Sequence, residues 1–597
     1  MKLQWVLTAS LATLALTAPA QPLAAQPAHT AAEQRADAAF AKIAERYIAA
    51  YTRLNPTDAT TLGEHRWDAS LSDVSTAGRA ARAAEWRTIL AELGKVDRRA
   101  LSRENQVDYA LLDNQLRYSL WSDDRLQPWR WDPQIYNSIA SDALYGLAAR
   151  DFAPWPQRLK AATARMEALP ALLAEARRQL DPARVPKIHA ETVARRNPGI
   201  LDTVNDMLAP HLGELEAGDR ARFDAALAGL KAAVAEHQTW LDTVLVPQAK
   251  GDFRLGPELY DEKMRFALQS NLTRADLKAR ATKSAADIRA QMYALSRKAL
   301  AGRAEAPALP DNPTQAQQQA AIEAALALSY AQRPPRTGLM DKARETLAQA
   351  TDFVRAKGFV WVPDTPIRII EMPRSQWGYA VAYNDSPGAL EKDQPNFYAI
   401  APIPPEWSDE QATSFLREYN SFNIIDVGVH EAMPGHYVQI WHSNRYPSVL
   451  RAVLGSGTFT EGWAVYAEEM MVAEGFRQGD PLYKLSQLKM QLRSMMNAII
   501  DQAIHVDGID QAETMRLLTQ VAFQEEREAA GKWRRAQLSF TQLSTYFVGY
   551  QEHLETRAAA QAAQGAAFNL KTYHDGVLAF GSPPARYARA LLLNEAI

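Results

Sequence analysis

None of the 597 residues is a cysteine. That excludes disulfides, thiolate metal sites, a cysteine nucleophile and a cysteine-borne lipid, so any metal site must be built from His, Asp and Glu. A surplus of charge is missing too: 66 Lys and Arg stand against 69 Asp and Glu, for a formal net charge of -3. Nucleic-acid binders usually carry a basic excess, so that partner class is not expected. No run of like charges reads as a tail. Beyond the first two dozen residues, no segment stays apolar for the roughly 20 residues that a membrane span needs.

What is present begins with Met1-Lys2 and the apolar run Trp5 to Leu16, followed by the small-residue patterns Ala18-Pro-Ala20 and Leu23-Ala-Ala25. Residues 1–25 thus read as a secretory signal peptide, cleaved after Ala20 or Ala25. The expected product is periplasmic or secreted, with no membrane insertion once the signal is removed. Residues 26–355 read as an N-terminal helical region. Ala38–Leu54, Ala77–Leu93, Gln106–Trp121, Trp155–Leu169, Arg220–Leu245 and Arg274–Leu300 place apolar residues at three- and four-residue spacing. Thr273 and Asp276 form a candidate capping box. Residues 356–597 read as a catalytic region that opens with short β-branched and aromatic segments (Phe359–Val362, Ile367–Met372, Trp377–Tyr383 and Asn396–Ile400) and is helical from about Ser408. The expected fold is mainly α, with a small β-sheet preceding a metal-binding helix.

The informative stretch is His430-Glu-Ala-Met-Pro-Gly-His436. In the common zincin motif two histidines at i and i+4 share one helical face, and the intervening Glu activates zinc-bound water. Here the second histidine is at i+6, about 600° around an unbroken helix, which puts it roughly a third of a turn out of line. Pro434-Gly435 is the pair best able to break the helix and turn the chain back. A carboxylate should complete the site, and Glu461 in Thr458-Phe-Thr-Glu-Gly-Trp-Ala is suitably placed for one on a following helix. Glu468, two turns further on the same face, is a candidate to orient a ligating histidine. Two imidazoles and one carboxylate leave a position open for water, the pattern of a catalytic zinc rather than a structural one. The expectation is one Zn2+ held by His430, His436 and Glu461, with Glu431 as general base.

HEAMPGHYVQ and TEGWAVYAEE resemble the signatures of the bacterial domain-of-unknown-function 885 family. That family is similar to the mainly α gluzincin peptidases, among them the angiotensin-converting enzyme, thimet oligopeptidase and Taq carboxypeptidase groups. The likeness extends to Ala59-Thr-x-x-Gly-Glu-His65, Phe253 to Tyr260 and Tyr573-His-Asp. It implies a two-lobed helical body around a channel. Where the family's motif carries a second histidine, this sequence has Tyr437, which leaves His436 as the ligand.

The resemblance also implies a late-chain donor to stabilise the oxyanion, for which Tyr546, Tyr550, His505 and His574 are the candidates. Asp501 and His505 match the family's Asp-x-x-x-His pattern. The strand containing Asn396 and Tyr398 is expected to pair with an extended substrate, and Arg493 is a candidate for a substrate carboxylate. The expected partner is a peptide. The reading is therefore an exported zinc metallopeptidase acting on short peptides. Its alternatives are a zinc amide or isopeptide hydrolase on a different substrate, or a catalytically silent peptide-binding protein. Substrate identity, the end attacked and the oligomeric state are left open.

Overall fold

The computed structural model describes residues 30–373, 377 and 380–597. The expected signal peptide lies outside them, as does part of Trp377–Tyr383. The protein is mainly helical with one small sheet. Helical periodicity located the long helices well: Arg274–Leu300 has the expected bounds, and its N-terminus is closed by the Thr273–Asp276 capping box. Ala31–Leu54, Thr76–Leu93 and Arg103–Trp121 begin one to seven residues earlier than apolar spacing alone indicates, because polar first turns carry no periodic signal. Trp155–Gln179 runs through Pro170, past the expected end. Among the described residues, no helix is long and apolar enough to cross a membrane.

Among the described residues the sheet has three strands: β1 (Ile367–Glu371), β2 (Ala382–Asp385) and β3 (Asn396–Ile400). Their order is β1-β3-β2, with β3 parallel to β1 and antiparallel to β2. Phe359–Val362, expected as a strand, is irregular. Its backbone is taken by side chains instead: the Phe359 carbonyl accepts from His574, and the Trp361 amide donates to Asp575.

The largest apolar core draws on residues from Tyr260 to Ala588, so helices on both sides of residue 355 pack together beneath the sheet. A second core lies between Tyr136 and Ala249, and a third joins the first helices to Leu450. The N-terminal helices are fastened to the site-bearing half by buried ions. Arg451, fully buried, donates to Asp108 at 2.5 Å and to the carbonyls of Glu104 and Phe580. Arg150 pairs with Asp385 of β2 at 2.6 Å, and Tyr145 donates to the same carboxylate. Removing one member of a buried pair strands the other. Arg451→Met, which leaves Asp108 unpaired, is expected to cost about 3–5 kcal/mol, read as a lowered midpoint in chemical denaturation.

Candidate metal centre

The helix Ser421–Glu431 ends one residue after His430, and the next helix, His436–Ser443, starts at His436. The four residues between them fold back over the last turn. The Gly435 amide donates to the Val429 carbonyl at 2.9 Å, and a Cβ at Gly435 would lie 1.9 Å from the His430 carbonyl oxygen. Only glycine allows that approach. The Trp463 indole N–H donates to the Pro434 carbonyl at 3.0 Å and pins the turn from the opposite helix. In consequence the two imidazole rings lie 4.7 Å apart, nearly perpendicular. The i+6 spacing is thus reconciled with a shared site.

Glu461 arrives on the helix Gly457–Ala473. This helix crosses Gln542–Gln564 at Gly462 and Gly549, where a Cβ on Gly462 would lie 2.2 Å from the Gly549 backbone. Within Thr-Glu-Gly-Trp, Glu461 faces the histidines, Gly462 admits the neighbouring helix, and Trp463 clamps the turn. The Glu461 Oε2 atom is 3.6 Å from His430 Nε2 and 3.5 Å from His436 Nε2, and one donor atom from each residue lies within 4.8 Å of the others. Glu461 Oε2 is buried and accepts no hydrogen bond. Tetrahedral bonds of about 2.1 Å set neighbouring donor atoms about 3.4 Å apart, so three facing donors at this spacing fit a zinc-sized ion better than they fit hydrogen bonding to each other.

His430 Nδ1–H donates to Glu468 at 2.6 Å, which turns Nε2 toward Glu461. Burial works to lower the proton affinity of His430, but Glu461, Glu468 and Glu431 outweigh it and hold it well above the ordinary histidine value. Burial likewise works to raise Glu461, but His430 and His436 keep it well below the usual carboxylate range. Glu431 is raised, by burial first and by Glu461 in addition, against the two imidazoles and a backbone amide. That amide belongs to Asn384 on β2 and donates to Glu431 Oε2 at 3.0 Å. These groups open into a cleft of about 1000 Å³.

The other expected site residues separate into those at the cleft and those in the core. Tyr546 lines the cleft, its ring 6.3 Å from that of His430. Its hydroxyl is held by Arg535 at 3.1 Å, and Gln542 reaches both Tyr546 and Glu461. Tyr550, one turn further on, instead donates to Glu469 and accepts from Gln491. His574 is fully buried between the Phe359 carbonyl and the Tyr466 hydroxyl, and burial pushes it down to about 3, a neutral core histidine. His505 donates to the carbonyls of Ala536 and Ser539, while Asp501 accepts from the Thr541 amide and the Ser544 hydroxyl. Asp501 thus braces Thr541, a β-branched residue at φ +64° that starts the Tyr546 helix, while His505 ties down the segment just before it. Tyr550, His574 and His505 are thus corrected to supporting positions behind the cleft wall, and Asp501, expected in a supporting role, supports the Tyr546 helix rather than a ligating histidine.

Asn396 and Tyr398 require the same correction. β3 is the central strand, with both backbone edges already paired, and Tyr398 is buried. The Asn396 side-chain carbonyl accepts from Ser386. Among the described residues, β2 has no strand on its outer edge, and its Ala382, Tyr383 and Asn384 line the cleft. Arg493 does line the cleft, but it pairs with Glu528 at 2.9 Å and contacts the Tyr419 hydroxyl. Sequence reading missed Asn384, Gln542 and Arg535, which are joined to the site only by tertiary contacts.

A mainly helical protein with a two-histidine, one-glutamate cluster at the base of a cleft is the class that fold and site define. The chain belongs to a bacterial protein family of unknown function, DUF885, which matches residues 56–592. A solved structure titled a "putative lipoprotein of unknown function" from Shewanella oneidensis is 31% identical, with a TM-score of 0.77 over 93% of this chain and 99% of that one. A second, titled a "putative lipoprotein" from Colwellia psychrerythraea, shares the fold at 15% identity, with a TM-score of 0.71 and the same coverage. A search of curated proteins returns no match.

Two outcomes follow for metal binding. A zinc ion bound there would displace the proton that His430 holds above the ordinary histidine value, so its affinity is expected to fall as pH is lowered through that raised value, with proton release measurable by calorimetry in two buffers. Glu468→Ala is expected to weaken zinc about 10- to 100-fold in chelator competition, because His430 loses its orienting carboxylate.

Proposed function

We propose that the chain is an exported zinc-dependent peptidase that hydrolyses short peptides, a gluzincin-like enzyme in mechanism. The observation that carries the reading is the convergence of His430, His436 and Glu461 beside Glu431, which lines the same cleft with its Oε2 held by the Asn384 amide. A zinc ion held by those three residues would polarise the scissile carbonyl and acidify a water molecule.

The chain's own groups supply the remaining steps. Glu431 is anchored through Oε2 by the Asn384 amide, which leaves Oε1 to take the proton from water and pass it to the leaving amine. Its raised proton affinity makes it a stronger base than a surface carboxylate. Tyr546, steadied by Arg535 and Gln542, presents a hydroxyl that can donate to the developing oxyanion. Glu468 keeps His430 in the tautomer with a free Nε2.

β2 supplies a track for the substrate backbone. The Val381 carbonyl accepts from Ala401 toward β3, whereas the Asn384 amide points away from β3 to Glu431. With a two-residue alternation, Ala382 also presents its N–H and C=O on the free edge, where an extended peptide can add as a strand. Export is supported by the signal-like first residues and by the titles of the solved relatives.

The deciding experiment compares zinc content and peptide hydrolysis in wild type and Glu431→Gln. Zinc content is expected to be equal in the two, and hydrolysis about 10²- to 10⁴-fold slower in the variant. Equal rates would sink the role of Glu431, and a wild type unable to bind zinc would sink the site.

A further inference from the structure

Opposite the histidines, the cleft wall is formed by the helix Glu526–Leu538. Arg527, Gly531, Arg534 and Arg535 recur at three- and four-residue spacing along it, which places three guanidinium groups on the face that lines the cleft. Gly531 has nothing within 4 Å of the position its Cβ would take, so that face is open. The carboxylates of the cleft are committed elsewhere or stand at the rim: Glu528 to Arg493, Glu418 to Lys489, Glu461 to the two histidines, Glu431 to the Asn384 amide, with Glu410 and Glu526 exposed. Among the described residues, no carboxylate lies within ion-pair distance of Arg527, Arg534 or Arg535.

Arg527 rests on the Trp407 ring and has a buried Nε without a hydrogen-bond partner. Arg535 spends one nitrogen on Gln542 and Tyr546, both neutral. Burial, and then mutual repulsion with Arg534, lowers the proton affinity of Arg527. Three cations thus line one side of the cleft, the exposed Arg534 at its rim, with no carboxylate in ion-pair contact among the described residues; Arg535, beside the tyrosine that faces the metal cluster, feels Glu461 and Glu528 only at longer range.

We propose that this arginine face, with Arg535 at its inner end, binds a carboxylate of the substrate and so directs the chain to peptides that are negatively charged close to the bond cleaved. The inference rests on the peptidase reading and deepens it. Arg535 touches Tyr546, whose ring neighbours His430. A carboxylate held there is therefore one or two residues from the scissile bond, at about 3.4 Å per extended residue. Two sources supply that group: a free C-terminus, which makes the activity a carboxypeptidase or dipeptidase, or an acidic side chain.

The test is calorimetric binding to the full chain carrying Glu431→Gln, with and without zinc. The three probes are N-acetyl-trialanine, its C-terminal amide, and an amidated peptide with aspartate in the last position. The free acid or the aspartyl amide is expected to bind at least about tenfold more tightly than the neutral amide. The free acid winning alone assigns a terminal carboxylate; the aspartyl amide winning assigns a side chain. Adding Arg535→Gln should abolish the preference, Arg535→Lys should keep part of it, and Arg534→Gln should reduce it even if the Arg535 variants fold poorly.

Equal binding of all three probes, binding of none, or a preference unchanged in both glutamine variants overturns the proposal. If the preference is present but zinc-loaded wild type cleaves none of the three peptides, the carboxylate subsite stands and the peptidase reading fails.

Discussion

The site depends on one backbone constraint: the four residues between Glu431 and His436 must lie flat against the turn they have just left. The Gly435 amide reaches back to Val429, there is no room for a side chain at Gly435, and Trp463 holds the Pro434 carbonyl from the next helix. Without that turn, His436 would continue around the helix away from His430. Glu431 would remain in place, but it would serve a site with one histidine. Carbonyls left unpaired at a helix end are usually satisfied by water or a cap. Here one of them is used to close a loop that completes a ligand set.

The same economy is visible in how the helices meet. Gly462 and Gly549 bring the Glu461 and Tyr546 helices together at backbone distance, so the polar groups of one reach the ligands of the other. Asp501 holds the left-handed Thr541 at the head of the Tyr546 helix, and His505 holds the Ser539 carbonyl two residues before it. On the far side, Arg150 and Tyr145 tie Asp385, and through it β2, to the N-terminal helices. The amide that anchors Glu431 is thus fixed by contacts 235 and 240 residues apart in sequence.

The mainly helical fold, the small sheet and the residues of the His-His-Glu cluster were legible because each is encoded locally, by periodicity, turn residues or a short motif. Pro434-Gly435 announced the turn that the odd spacing required. Other assignments depended on which way a polar residue faces. Tyr546 and Tyr550 are one turn apart, yet one meets the cleft and the other Glu469. His574 and His505 carry the residue type that catalysis needs, but they satisfy buried carbonyls. Strand order is a tertiary property, so β3 could not be recognised as central from its own five residues. Arg493 could not be distinguished from Arg535 because what neutralises it, Glu528, lies 35 positions further along the chain.

The complete absence of cysteine has a consequence beyond the chemistry it excludes. A metal held by two imidazoles and a carboxylate has no sulfur to be oxidised, and this sequence contains no thiol to compete for it or to form a mixed disulfide. Occupancy of such a site is indifferent to the redox poise of its surroundings. It answers to acidity and to the supply of free metal alone.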